Sequence, residues 1–317
     1  MCGIVGLFLK DRSLEPRLGA LLTDMLVTMT DRGPDSAGIA IYGGEAAGSA
    51  KLTVQSDDPQ ADFATLAEEL GSVIEAAVSG AVKDSHIVLT LPADKVAAAR
   101  QALPELRQGV RVMSTGAAME IYKEVGLPRD VAARFAVSQM SGSHGIGHTR
   151  MATESAVTTL GAHPFSTGLD QCLVHNGSLS NHNALRRKLR HEGIHIETEN
   201  DTEVGAAYLT WKMQTGSSLG EALKSSLEDL DGFFTFVVGT KDGFGVVRDP
   251  IACKPAVMAE TGDYVAFASE YRAFADLPLI TTADGQQLSL GDVSIIERRP
   301  RDDQPTLTYK GNPAIEL

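Results

Sequence analysis

A cysteine at position 2 heads an unbroken apolar run, Cys2-Gly3-Ile4-Val5-Gly6-Leu7-Phe8, which commits the very start of the chain to a protein interior. Residues 3–9 read as a buried strand. Once Met1 is removed, residue 2 owns both a thiol and a free α-amine. A reference thiol titrates at about 8.5 and a reference α-amine at about 7.7 to 8.0, so near neutral pH an unprotonated amine can take the thiol's proton. That pair is a self-contained nucleophile and base. The plainer role for such a cysteine is a small buried residue in a strand. The rest of the chain decides between them.

Composition narrows the class. With 317 residues, 43% hydrophobic and 22% charged, the chain can bury one large core or two modest ones. Aromatics supply only 5%, so aliphatic side chains and alanine must fill the interior. The 41 acidic residues outnumber 28 basic ones, for a net charge of -13, which disfavours nucleic acid or an anionic membrane surface as the main partner. Three cysteines, Cys2, Cys172 and Cys253, are too few for a disulfide framework and point to a reducing compartment. Cys172 and Cys253 sit in apolar stretches and read as buried fillers. The N-terminal apolar run ends at Lys10-Asp11-Arg12, too short for a signal segment, and no run of 18 apolar residues follows. A cytoplasmic protein is expected.

Helical spacing runs through Leu18, Leu21, Leu22, Met25, Leu26 and Met29, predicting a helix over 14–30. After the turn-rich Asp31-Arg32-Gly33-Pro34-Asp35-Ser36, residues 37–42 read as a second strand closed by Gly43-Gly44. From about 56 to 140 the texture changes to Ala-rich helices around one apolar strand at 86–91. Reactive residues do not cluster there. Further strands are expected to end at Arg150, to lead into a turn at Asn176-Gly177, to form a hairpin through Lys241-Asp242-Gly243, and to occupy 264–269 and 293–297. Asn200-Asp201-Thr202-Glu203 opens a helix with Asp201 or Thr202 as candidate caps. His191 and His195 stand at i, i+4, but with Gly193 between them and no acidic cluster nearby no metal site is expected.

Seven short motifs occur in one order: Cys2-Gly3-Ile4-Val5-Gly6, Arg32-Gly33-Pro34-Asp35-Ser36-Ala37-Gly38, Gly147-His148-Thr149-Arg150, His175-Asn176-Gly177, Asp201-Thr202-Glu203, Arg248-Asp249-Pro250 and Ala268-Ser269-Glu270. This set resembles the class II glutamine amidotransferases. The resemblance implies an α+β fold, the Ntn-hydrolase four-layer αββα sandwich. It covers residues 1–317 as one domain, with an inserted α/β element at about 56–140, placed where a loop tolerates it.

The resemblance also implies roles. Cys2 is the nucleophile with its own amine as base. Asn176 and Gly177 form the oxyanion pair, a side-chain amide and a backbone N–H. Arg150 clamps the α-carboxylate of L-glutamine and Asp201 meets its α-ammonium. Thr153 contacts substrate. A surface ion pair for Arg150 and a helix cap for Asp201 are the structural alternatives. Glu154 departs from the sugar-amidating branch, where a histidine often follows the threonine. Arg32 and Asp35 either order the loop over the nucleophile or pair with each other. His148 and His175 are expected as hydrogen-bonding scaffold.

Little sequence follows Ala268-Ser269-Glu270, so no synthase domain is expected in this chain, and the acceptor for ammonia is expected on partner synthase subunits of a hetero-oligomer. The motif texture is similar to the amidotransferase subunit of glutamate synthase-like complexes, including the N-methylglutamate synthase type, in which a separate subunit binds FMN and is a candidate for an iron–sulfur cluster. No cofactor is expected in this chain. A non-catalytic subunit of such a complex, or an amidotransferase serving another acceptor, remain alternatives. The inserted stretch is expected to be a docking or oligomer surface.

Overall fold

Residues 3–9 form a strand buried on both faces, and the other elements are arranged about it. The computed structural model describes residues 2–152 and 156–277, with the short strands Thr308–Tyr309 and Asn312–Pro313. The strand expected over 293–297 lies outside these residues. In chain order come β1 (Gly3–Leu9), α1 (Leu18–Thr28), β2 (Ser36–Tyr42), β3 (Ser49–Gln55), α2 (Pro59–Phe63), α3 (Leu66–Ile74), β4 (Ser79–Lys83) and β5 (His86–Pro92). Then follow α4 (Val96–Leu106), β6 (Arg111–Gly116), β7 (Met119–Val125), α5 (Pro128–Arg134), β8 (His144–Arg150), β9 (Phe165–Gly168) and β10 (Gln171–Leu179). The last are α6 (His182–His191), α7 (Asp201–Gln214), α8 (Leu219–Asp229), β11 (Gly232–Thr240), β12 (Gly243–Arg248), β13 (Val257–Glu260) and β14 (Tyr264–Ala268).

Two antiparallel sheets stack face to face. The larger runs β13-β14-β1-β8-β2-β7 and the smaller β12-β11-β10-β9. Successive side chains of a strand point to opposite faces. On β1, Ile4 faces the second sheet among Ala40, Ile146, Val174 and Val237, while Val5, Leu7 and Leu9 face Leu22, Met25 and Leu26 of α1. A strand covered on both sides must be apolar throughout, which is why the run is continuous. On the far side, Leu173, Phe234 and Phe236 pack against Leu189 of α6, Val204 and Leu209 of α7, and Leu223 of α8. The layers are therefore α, β, β, α, the Ntn-hydrolase sandwich.

The helix expected over 14–30 is realised as a 3-10 turn, Arg12–Arg17, followed by α1. Pro16 has no N–H for an α-helical bond there. Five residues of α1, Leu18, Leu21, Leu22, Met25 and Leu26, are buried to 2% exposure or less, each worth about 1.5–3 kcal/mol of burial.

A third sheet, β4-β5-β3-β6, carries its own core of Leu52, Val54, Leu66, Leu70, Leu89 and Leu103 beneath α3 and α4. It begins at Ser49 and ends at Gly116. β7 and α5, inside the 56–140 stretch, belong instead to the large sheet and its helical cover. Tyr42 of β2 pairs with Met119 of β7, so the chain leaves and re-enters the large sheet at neighbouring points.

Candidate active site

β1 lies between β14 and β8, with Gly3 opposite Thr149. Arg150, the last residue of β8, therefore ends beside the head of β1. Ile4 is locked to the segment after β14: its N–H donates to Ser269 Oγ at 3.0 Å, and Ser269 N–H donates to its carbonyl at 3.0 Å. The carbonyl of Cys2 accepts two bonds, from Arg32 Nε at 2.9 Å and from Asn176 Nδ2 at 3.1 Å. Its Sγ lies 3.9 Å from the carbonyl oxygen of Met151. Residue 2 is thus held by its backbone while the sulfur is left at the mouth of the site.

Arg32 does not pair with Asp35. Its guanidinium, 8% exposed, reaches Glu270 Oε1 at 2.7 Å, and the other carboxylate oxygen of Glu270 meets Arg272 at 2.6 Å. Asp35 accepts from the N–H of Ala152 at 2.8 Å. Between them Gly33 presses on β8 so closely that a Cβ would lie 2.4 Å from the carbonyl carbon of Thr149. Any side chain there would push the loop off Cys2.

Asn176 and Gly177 lie inside β10, not in a turn after it, because the strand continues to Leu179. Phe234, opposite Gly177, gives its N–H to Asp249 Oδ1 at 3.0 Å, and its carbonyl accepts from Asp249 N at 2.9 Å. Both groups turn away from β10. The pair is not hydrogen-bonded, and by the alternation of an antiparallel ladder the Gly177 N–H points to the other edge of β10. The same edge receives side chains on either side: His175 N–H donates to His163 Nδ1 at 3.3 Å, and Leu179 N–H donates to Asp201 Oδ2 at 2.9 Å. β9 covers this edge only as far as Leu173. Gly177 has φ +149°, and a Cβ would sit 2.0 Å from the carbonyl oxygen of Phe233, so glycine is required.

The N-cap of α7 is Asn200, whose side chain accepts from Thr202 N; Asp201 is the first helical residue and is free to reach β10. Thr202 Oγ1 joins two imidazoles of a buried cluster, 3.0 Å from His175 Nδ1 and 3.2 Å from His163 Nε2. His163 stacks on His148 at 4.0 Å, and His148 Nε2 donates to the His175 carbonyl at 3.1 Å. Because His163 Nδ1 accepts, its proton resides on Nε2. Burial pushes His148 down to about 3, His175 down to about 4 and His163 well below its ordinary value. Neutral rings this weakly basic suit a scaffold that joins the two sheets and α7.

Arg150 is 6% exposed, so it is not a surface residue, and it donates to the carbonyl of Ala156 at 3.3 Å. Thr153 lies outside the described residues. Cys172 is buried, and its thiol is pushed up to about 12 by burial, whereas Cys253 is exposed rather than a core filler. It sits between Pro250 and Pro255 in the connection from β12 to β13, where the ladder is broken. Two contributors were not legible as site residues: His163, in a loop, and Lys123, a solitary cation in β7. Their sequence surroundings carry no signal of the partners they meet.

An N-terminal-nucleophile fold with a cysteine, a carboxamide and a strand edge that no strand covers past Leu173 among the described residues, all converging at one end, defines a class II glutamine amidotransferase. Comparison with known proteins agrees. Residues 148–276 match the glutamine amidotransferase domain family. The chain is 68% identical over 285 residues to the glutamine amidotransferase-like protein GlxB of Rhizobium meliloti, covering 89% of this chain and 94% of that protein. Identity to the glutamine–fructose-6-phosphate aminotransferase (isomerizing) of Vibrio vulnificus is 31% over 196 residues, 60% of this chain and 30% of that one. The glutamine phosphoribosylpyrophosphate amidotransferase from B. subtilis shares the fold, with a TM-score of 0.55 at 20% identity over 96% of this chain. This chain spans about half the length of that solved chain, 50%. The protein belongs to the class II glutamine amidotransferases.

Proposed function

We propose that this chain hydrolyses L-glutamine to glutamate and ammonia with Cys2 as nucleophile after removal of Met1. The α-amine takes the thiol proton, and the thiolate attacks the side-chain amide carbon. The tetrahedral oxyanion is met by the Gly177 N–H and the Asn176 amide. Collapse expels ammonia, which takes the proton held by the amine, and leaves a glutamyl thioester that water then cleaves. Arg150 binds the α-carboxylate and Asp201 the α-ammonium of the substrate, with Thr153 as a further contact.

The observation that carries this reading is the edge of β10, which no strand covers beyond Leu173 among the described residues. Gly177 N–H points there between two N–H groups already bonded to His163 and Asp201, one residue from the amide that reaches Cys2. Purified protein incubated with glutamine should release glutamate and ammonia, and intact mass should correspond to a chain beginning at Cys2. Retained Met1 in turning-over material would defeat the mechanism.

The ammonia is delivered to a partner synthase subunit of the glutamate synthase or N-methylglutamate synthase type, where FMN and an iron–sulfur cluster would reside. Support for this acceptor class comes from the overall texture of the motifs, not from any one of them. Co-purification of the native assembly, with a flavin spectrum on the partner, tests it.

A further inference from the structure

Lys123 stands in β7 between Tyr122 and Glu124, and only 4% of it is exposed. Among the described residues it makes no salt bridge. Instead its Nζ donates to three main-chain carbonyls of one segment: Leu160 at 3.3 Å, Ala162 at 2.8 Å and Pro164 at 3.2 Å. The ring of Phe165 lies 4.4 Å away. An ammonium has three N–H donors, and here each has one carbonyl. Solitary buried cations are costly, so a lysine in this position needs a reason beyond packing.

The reason lies in where that segment leads. Lys123 pairs with Gly38, Gly38 with His148, and His148 with Ile4, one row across the large sheet that ends two residues from Cys2. The carbonyl of His163 rests directly on Gly38, where a Cβ would come within 2.0 Å of its oxygen. From that seat the His163 ring stacks on His148, accepts from His175 N–H and meets Thr202, the neighbour of Asp201. Displacing the segment would unsettle both the β10 edge and the start of α7.

We propose that Lys123 is a positioning residue for glutamine binding: its ammonium clamps the 160–164 segment so that His163, through Thr202, holds Asp201 in register. This rests on the glutaminase reading above. Lys123 touches no substrate in this account. It acts through the amino-acid end of the site, so its removal should weaken binding more than it slows the chemical step.

Protonation supplies an independent handle. Burial pushes the ammonium of Lys123 down to about 7, opposed by Glu203 of α7 and Glu197 before it, and reinforced by Arg150 of β8; His163 and, on β5, His86 also face it. Below that pH the three-donor form is present. Above it one donor is lost and the clamp loosens.

The experiment is steady-state glutamine hydrolysis by the full chain, wild type and Lys123→Met, between about pH 6 and 9. We expect KM in the variant to rise about tenfold at pH 6 with kcat within about threefold, as for one or two lost buried hydrogen bonds. Wild-type KM should climb as pH passes through about 7, and the variant's should stay flat. A variant KM within twofold of wild type, or a flat wild-type profile, overturns the proposal. If the variant does not fold, the wild-type profile alone decides. If wild type does not hydrolyse glutamine, the glutaminase reading fails separately, and amide hydrogen exchange over 160–165 in wild type takes over. Protection lost at pH 9 relative to pH 6, after correction for intrinsic rates, supports the clamp, and equal protection removes it.

Discussion

The third sheet and the head of β1 are built by opposite rules. Beneath β4-β5-β3-β6 the core consists of aliphatic side chains and Phe63, supplied by a contiguous stretch, with α3 and α4 packed on it. Around Cys2 the contacts come from Arg32, Asn176 and, next door at Ile4, Ser269, the last 265 positions away. Those contacts are polar and directional, and the side chains that make them are buried. A leucine core tolerates repacking. A buried polar network does not, because each lost partner strands a desolvated group. Chemistry should therefore be concentrated at one end of the sandwich and be indifferent to the other.

The sharpest way to break that contrast is at the sulfur. Cys2→Ala should leave the melting temperature unchanged and abolish glutamine hydrolysis, a loss beyond about 10³-fold; measurable turnover would remove residue 2 from the chemistry. Next in size is Asn176→Ala, expected to lower kcat by about 10²- to 10³-fold, the usual effect of losing an oxyanion donor. A kcat within tenfold of wild type would mean that the amide serves only to hold the Cys2 carbonyl. Arg150→Lys keeps the charge but not the planar fork, so KM for glutamine should rise about 10- to 100-fold with a smaller change in kcat. A change confined to kcat would argue against a carboxylate clamp.

The smallest effect is expected from the largest deletion. Removing residues 45–115 and joining Gly44 to Gly116 leaves β2 and β7 a short turn, since Gly43 N–H already donates to the Ala118 carbonyl at 3.0 Å. Basal glutaminase activity should stay within about threefold while assembly with partners, read by size-exclusion chromatography of the native complex, is lost. Collapse of basal activity would place the third sheet at the active site and erase the contrast.

What the sequence disclosed follows the same division. Patterns with a local cause were readable: the run at β1, the spacing along α1, and the β11–β12 hairpin around Lys241 and Asp242. The third sheet was harder to see. β4 is exposed along nearly its whole length, so it has no alternation to read, and β6 gains its identity from pairing with β3 across more than 50 residues. At the candidate site, Cys2, Arg150, Asn176, Gly177 and Asp201 could be singled out because they stand in ordered motifs. Their surroundings were not. That Asn200 rather than Asp201 caps α7, or that Arg32 chooses Glu270 over Asp35, depends on which backbones meet in space.

The three cysteines differ in a way that lends itself to spectroscopy. Cys172 is sealed between the sheets and its thiol resists ionisation, so alkylating reagents would pass it by, while Cys253 stands in the open. Exchanging Cys253 for serine would leave residue 2 as the one addressable sulfur. A fluorophore or nitroxide placed there would watch the mouth of the site as a partner approaches.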